Sequence, residues 1–197
     1  MRGVGIADGV RPCSSVNRSP AARILGIDPG LSASGYGAIE ASKVIDFGTI
    51  VTRPSEPVPE RLARLAEELE VVVRRLKPDC CAIETLFFKG GGARSVLLSA
   101  ESRGVILCTL ARLSVPVDEI TPASIKLALT GSGRASKQQV NYMARQLLSL
   151  DGKVPEHAAD ALAAALCMER RRQRFDRTTL TLASPFKGEG MKGRGTR

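Results

Sequence analysis

Two acidic side chains each end a short apolar run of this sequence. Asp28 follows the residues ILGI and precedes Pro29 and Gly30, while Glu84 closes the run CCAIE. An Asp before a Pro-Gly pair also fits a local turn, so Asp28 alone leaves a turn residue and a catalytic acid equally open. A carboxylate at the end of a buried strand is costly to leave unpaired. The two acids therefore indicate a shared positive partner, either a basic side chain or a metal ion.

Two further candidates lie in the motif HAADAL. His157 and Asp160 are three residues apart, so they lie on one face of a helix whose alanines would let it approach a sheet closely. His157 is the single histidine of the chain and also fits an exposed position at a helix N-terminus. Together with Asp28 and Glu84, His157 and Asp160 form an oxygen-rich ligand set with one imidazole. Such a set favours Mg²⁺ or Mn²⁺ over structural zinc. A pair of such ions can activate a water and stabilise the leaving oxygen of a phosphodiester.

Length, composition and charge set limits on the kind of protein. The chain has 197 residues, of which 43% are hydrophobic and 25% charged, and this is enough for one domain with tails. It contains neither an apolar run of about 20 residues nor a secretory signal, so we expect a cytoplasmic protein with no membrane partner.

The formal net charge of +9 is concentrated in the two tails. Residues 120–150 form a further basic segment, because they carry four basic residues and no acid. Segregated charge of this kind suits a polyanion held beside an acidic metal site. Chance clustering on a solvated surface explains the charge equally well.

Hydrophobic periodicity predicts the elements that must position these residues. Strands are expected at 24–28, 34–40, 43–52, 80–84 and 115–120, and helices at 59–76, 93–113, 122–129, 136–150 and 156–172. This order predicts a mixed α/β domain at 23–172 with one central sheet. The flanking residues 1–22 and 173–197 lack periodicity and are predicted to be a disordered extension and a disordered basic tail.

The predicted helix at 93–113 is apolar on nearly all sides in its second half, GVILCTLA. Such a helix must bury more than one face. A subunit interface and a central core position both explain this pattern, and the sequence leaves the two open.

Taken together, the motifs resemble the RuvC-type Holliday junction resolvases, a family within the ribonuclease-H-like nucleases. The similarity covers residues 24–170 and rests on four stretches in family order: ILGIDPGLSASGYG, PDCCAIETLFF, SIKLALTGSGRASKQQV and HAADALAAA. The resemblance implies a ribonuclease-H-like fold with a five-stranded mixed sheet, three antiparallel strands followed by two parallel ones, flanked by helices.

The resemblance also implies a metal-binding catalytic set. Its members would be Asp28, Glu84, His157 and Asp160, holding a pair of Mg²⁺ ions per active site, with Mn²⁺ as a substitute. Many family members have Asp where this chain has His157, which makes the site less negative when the imidazole is neutral. His157 could therefore act as a metal ligand or as a proton-transfer group, and the sequence leaves both roles open.

Further residues match the family's DNA contacts. Lys126 and Lys137 match two basic residues near the scissile strand and would be catalytic through phosphate contacts, with Arg134 as another DNA-binding residue of the same segment. Phe87 matches an aromatic that stacks on bases at the junction centre. Phe88 shares or takes that role, and one of the two is expected to pack in the core.

The activity implied by the resemblance is structure-selective. The chain would be an endonuclease that resolves four-way DNA junctions in recombination and repair by paired symmetric nicks, leaving 5′-phosphate and 3′-hydroxyl ends. Two opposed cuts need two sites, so a homodimer is implied, with the 93–113 helix as its interface. The RuvA and RuvB branch-migration complex is the implied protein partner.

Three other functions fit the sequence less well than this one. An actin-like kinase or ATPase shares the sheet but needs two such domains. A nuclease acting on ribosomal RNA precursors fits less well with Lys126, Lys137 and the long 93–113 helix. The intact acidic set argues against a junction-binding protein without catalysis.

Overall fold

A five-stranded sheet with helices on both faces forms the centre of this computed structural model. The structure describes residues 21–85 and 92–182, with side chains described as far as residue 174. The strands are β1 (Arg23–Asp28), β2 (Ala33–Glu40), β3 (Lys43–Val51), β4 (Cys80–Glu84) and β5 (Val117–Ile120). The helices are α1 (Val58–Leu76), α2 (Ala93–Arg112), α3 (Pro122–Thr130), α4 (Lys137–Leu147) and α5 (Glu156–Leu182). Within these ranges, every helix is too short or too polar to cross a lipid bilayer.

The strand order of the sheet is β3-β2-β1-β4-β5. The β1/β2 and β2/β3 pairs are antiparallel, whereas β1/β4 and β4/β5 are parallel, so the predicted fold is confirmed. The register pairs Ile27 with Ile83. Asp28 and Glu84, the next residues along these parallel strands, therefore lie side by side at the carboxyl edge of the sheet.

Two helical layers bury the sheet. Helices α3, α4 and α5 pack on one face, which includes Ile24, while α1 and α2 pack on the other, which includes Leu25 and Ile27. Successive side chains of a strand point to opposite faces. Strands covered on both faces need apolar residues at nearly every position, which explains the unbroken run of β4.

Glycines in β1 and β2 place α5 directly against the sheet. A Cβ atom added at Gly26 would overlap the carbonyl group of Ala161, and one added at Gly35 would overlap the carbonyl group of His157. The buried alanines on the facing side of α5 complete this close packing. The first turn of α5 is thereby held over the strand ends that carry the acids.

Helix α2 buries one face only. Ser102, Ile106, Thr109 and Leu110 are its buried residues, and it packs against α1. Leu97 is 62% exposed and Cys108 is exposed on the remaining surface. The interpretation of this helix as a central core element is therefore wrong for the single chain.

The ends of two helices differ from the prediction. Helix α4 ends at Leu147 rather than residue 150, since Ser149 adopts a left-handed backbone conformation with φ of 49°. Helix α5 continues to Leu182, so the predicted disorder is wrong for residues 173–182. Arg and Gln favour helices, and the first helix breaker after residue 172 is Pro185. Residues 183–197, and residues 1–20 of the N-terminal extension, lie outside the described part.

Candidate active site

The Asp28 carboxylate and the His157 imidazole meet at the carboxyl edge of the sheet. His157 Nδ1 lies 2.7 Å from Asp28 Oδ2, a hydrogen bond in which the ring N–H donates. Burial raises the pKa of Asp28, and the nearby charge of Asp160 adds to this effect, although the hydrogen bond from His157 opposes it. The surroundings of Asp28 thus disfavour its ionised form, chiefly because the carboxylate is buried.

Lys137 bridges two acids of α5. Its Nζ lies 2.8 Å from Asp160 Oδ2 and 2.6 Å from Glu156 Oε1. Burial would lower the pKa of Lys137, but the hydrogen bonds to Asp160 and Glu156 outweigh it and raise the pKa above its usual value. The hydrogen bond from Lys137 lowers the pKa of Glu156. The lysine therefore stays charged beside Asp160.

A cavity of about 220 Å³ joins these groups to the second strand end. Glu84 of β4, Lys126 of α3, Lys137 of α4 and Asp160 of α5 all line it. The structure therefore brings four of the six predicted catalytic residues into one cavity. The other two, Asp28 and His157, bond to each other, and the charge of Asp160 acts on Asp28.

Capping interactions set where the two lysine-bearing helices begin. The Thr121 hydroxyl accepts a hydrogen bond from the Ser124 backbone N–H at the start of α3. Ser136 and Gln139 form a reciprocal capping box at the start of α4, as the sequence predicts. Lys137 is the first residue of α4, so this cap directly positions its side chain beside Asp160.

The predicted DNA contacts are divided between this cavity and its surroundings. Lys126 and Lys137 lie in the cavity, whereas Arg134 lines a separate open groove that also contains Tyr142. The predicted aromatic contacts Phe87 and Phe88 lie outside the described residues.

The donor atoms of the site suit a hard divalent cation. The carboxylates of Asp28, Glu84 and Asp160, with one imidazole, supply the oxygen-rich set that Mg²⁺ and Mn²⁺ prefer. Among the described residues, no three His, Cys, Asp or Glu side chains converge closely enough to hold an ion in this conformation. Asp160 is instead paired with Lys137, and Asp28 is paired with His157.

Two further residues of the site are not among the predicted ones. Glu156 accepts a hydrogen bond from Lys137, and an acid in the first turn of a helix is the sequence signal that would indicate it. Arg103 of α2 donates from Nη1 to the Glu84 backbone carbonyl at 3.1 Å and pairs with Glu119 at 2.7 Å. Its side chain is 12% exposed, so it fixes the end of β4 from within the protein.

This combination of sheet and site defines a class of protein. Three antiparallel strands followed by two parallel strands, with acids at the ends of β1 and β4 and an Asp on the facing helix, form a ribonuclease-H-like nuclease fold.

Sequence comparisons identify the family within that class. The family model for Crossover junction endodeoxyribonuclease RuvC matches residues 24–168. The RuvC protein of Bordetella parapertussis is 44% identical over 149 residues, which cover 74% of this chain and 81% of that protein. The RuvC protein of Desulforamulus reducens is 44% identical and is covered over 91% of its length by 73% of this chain. The chain therefore belongs to the RuvC family, which confirms the resemblance seen in its motifs.

Solved structures agree with this assignment. Thermus thermophilus RuvC in complex with a Holliday junction substrate has a TM-score of 0.71 and 32% identity, with 78% of this chain and 96% of that chain covered. The yeast mitochondrial Holliday junction resolvase Ydc2 has a TM-score of 0.60 at 14% identity, covering 86% and 88% of the two chains. The second likeness shows a shared fold.

Proposed function

We propose that this chain is a Holliday junction resolvase, which cuts four-way DNA junctions by paired symmetric nicks in recombination and repair. The observation that carries the proposal is the cavity in which Glu84 and Asp160 face Lys126 and Lys137, beside the Asp28–His157 pair. Membership of the RuvC family supports the same activity and argues against the kinase and ribosomal RNA alternatives.

The RuvC family consists of divalent-metal-dependent nucleases. We propose that Asp28, Glu84, His157 and Asp160 hold a pair of Mg²⁺ ions, which Mn²⁺ can replace. When bound, these ions supply activation of the attacking water and stabilisation of the leaving 3′ oxygen, which gives 5′-phosphate and 3′-hydroxyl ends.

The basic residues then bind and orient the scissile strand. Lys137 pairs with Asp160, and its ammonium group would donate to a phosphate of the scissile strand. Lys126 faces the same cavity from α3 and contributes a second positive charge. Arg134 extends the basic surface along the strand, and Phe87 and Phe88 are proposed to stack on bases at the junction centre.

Paired cuts require two active sites related by a two-fold axis. We propose that the exposed face of α2 forms the homodimer interface, because it places Leu97, Gly104 and Cys108 on one unpartnered side of the helix. The RuvA and RuvB complex is the proposed protein partner, and the cytoplasm is the proposed location because the substrate is chromosomal DNA.

The decisive experiment compares cutting of a synthetic four-way junction with cutting of a matched linear duplex in Mg²⁺. We expect symmetric junction nicks from the wild type, and junction binding without cutting from Asp28→Asn. Asp151→Asn, at an exposed acid, is the matched control and should cut normally. Equal cutting of the linear duplex, or normal cutting by Asp28→Asn, would contradict the proposal.

A further inference from the structure

A second basic groove lies on the far side of α3 from the catalytic cavity. Ser124, Leu127 and Ala128 of α3 form one wall, and Arg170, Arg171, Gln173 and Arg174 of α5 form the other, enclosing about 470 Å³. We call this feature the arginine groove. None of its lining residues is among the predicted DNA contacts.

The groove has a fixed cationic wall. Arg170 Nη1 donates to the Ala128 carbonyl at 2.7 Å, so its guanidinium group is held at the C-terminal end of α3. Arg171 and Arg174 are exposed beside it. No acid is among the lining residues.

The acid nearest in sequence does not neutralise this wall. Glu169 is 4% exposed and accepts hydrogen bonds from the backbone N–H and the hydroxyl of Ser42 at 2.8 and 2.6 Å. Its carboxylate is thus committed to the β2–β3 turn. Residues 170–174 contain four arginines and no carboxylate.

The chemistry of the groove suits a phosphate backbone. Guanidinium groups present several N–H donors in a planar fork that matches phosphate oxygens. The Ser124 hydroxyl and the Gln173 amide add uncharged donors of the kind that also contact phosphates and sugars. A sequence-independent contact of this type adds affinity and salt dependence to DNA binding.

The groove lies further along α5 than the catalytic cavity. Asp160 and Arg170 to Arg174 are 10 to 14 residues apart on α5, which corresponds to about 15–20 Å at 1.5 Å per residue. This distance equals about five base pairs of duplex at 3.4 Å each. Since α3 carries Lys126 towards the cavity and Leu127 towards the groove, one duplex crossing α3 could contact both.

We infer that the arginine groove binds the sugar-phosphate backbone of a junction arm, about five base pairs from the scissile phosphate. This inference rests on the proposed junction substrate and assigns a second DNA contact outside the cleavage site. The groove contacts the backbone of the arm and makes no contacts with the bases.

The test measures junction binding by fluorescence anisotropy in EDTA, at several salt concentrations. We expect Arg171→Gln/Arg174→Gln to weaken binding about threefold to tenfold and to reduce the slope of log affinity against log salt by about one to two. Arg170 is left intact because it also anchors α3. The control Arg64→Gln/Arg74→Gln removes two exposed arginines of α1 on the opposite face of the sheet, and should bind as wild type does.

A second measurement locates the contact. A junction with uncharged methylphosphonate links at the third to seventh phosphates of each arm should bind the wild type more weakly, while the groove variant should not distinguish the two junctions. Wild-type affinity and salt slope in the groove variant would overturn the inference, and would leave an acidic protein segment as the occupant. Cutting by the wild type is scored separately, so loss of the resolvase activity and loss of the arm contact are distinguishable.

Discussion

At the residue scale, the protein surroundings of the candidate site disfavour the ionised form of Asp28. Burial and the neighbouring Asp160 raise the pKa of Asp28 above its ordinary value of 3.8. The folded chain thus binds this proton more tightly than the unfolded chain does. The group favours folding below pH 3.8, and this contribution is lost as the pH rises through the folded pKa. Ionisation of Asp28 in the folded, metal-free chain therefore costs stability.

Asp28→Asn should stabilise the metal-free protein at pH 7, because the amide cannot ionise. We expect the melting temperature to rise by about 2–4 °C, measured by thermal unfolding in EDTA. The advantage should shrink as the pH falls through the folded pKa of Asp28 towards 3.8, and Asp151→Asn should show no such trend. Mg²⁺ should raise the melting temperature of the wild type and have little effect on Asp28→Asn. A less stable Asp28→Asn at pH 7 would contradict this account.

Substitutions of His157 test whether this residue takes part in catalysis or is only a surface residue. His157→Ala should lose most cutting, by about 100-fold or more, since the partner of Asp28 disappears. His157→Asp should retain cutting with an altered preference between Mg²⁺ and Mn²⁺ or an altered pH profile. Nicking rates across pH 6–9 in each metal provide the measurement, and full activity in His157→Ala would return this residue to a surface role.

At the element scale, the contact of α5 with the glycines of β1 and β2 positions the site. Gly35 lies under the His157 carbonyl, so Gly35→Ala must push the first turn of α5 away from the sheet. We expect the free energy of unfolding to fall by about 3 kcal/mol, with loss of cutting. Urea unfolding measures the first effect and junction nicking the second.

Gly92→Ala is the matched control for that change, because no atom of the described residues lies within 4 Å of a Cβ added at Gly92, the N-cap of α2. Its free energy of unfolding should fall by about 1 kcal/mol, the cost of an N-cap alanine, and thus by clearly less than in Gly35→Ala. Wild-type stability and activity in Gly35→Ala would show that α5 can shift without loss of the site.

At the scale of the whole molecule, the unpartnered face of α2 predicts a dimer. Leu97→Glu places a charge on that face and should convert a dimer to a monomer in analytical ultracentrifugation, since a buried unpaired charge is costly. The monomer should nick junctions without the coordination of paired cuts. Ile45→Glu, at a partly exposed residue of the edge strand β3, should remain dimeric. A monomeric wild type, or a dimeric Leu97→Glu, would exclude this face as the interface.

Local sequence patterns were enough to predict the elements and the family. The alternation of apolar residues, the Ser136–Gln139 capping box and the acids that end β1 and β4 are local features, because each depends on residues a few positions apart. They predict the strands and helices and place Asp28 and Glu84 each at the end of an apolar strand, whereas the mixed arrangement of the sheet is implied by the family resemblance. The ends of α4 and α5 are exceptions, and in α5 helical propensity continues the helix past its predicted end.

The partners within the site depended on contacts between residues far apart in the chain. Asp28 and His157 are separated by 129 positions, and their bond exists because Gly35 lets α5 lie against β2. The bridge from Lys137 to Asp160 likewise joins two helices, and the arginine groove requires α3 to cross α5. Sequence periodicity reports which face of an element is buried, but not which element covers it. Packing alone settles that choice, since close approach depends on the shapes of both surfaces.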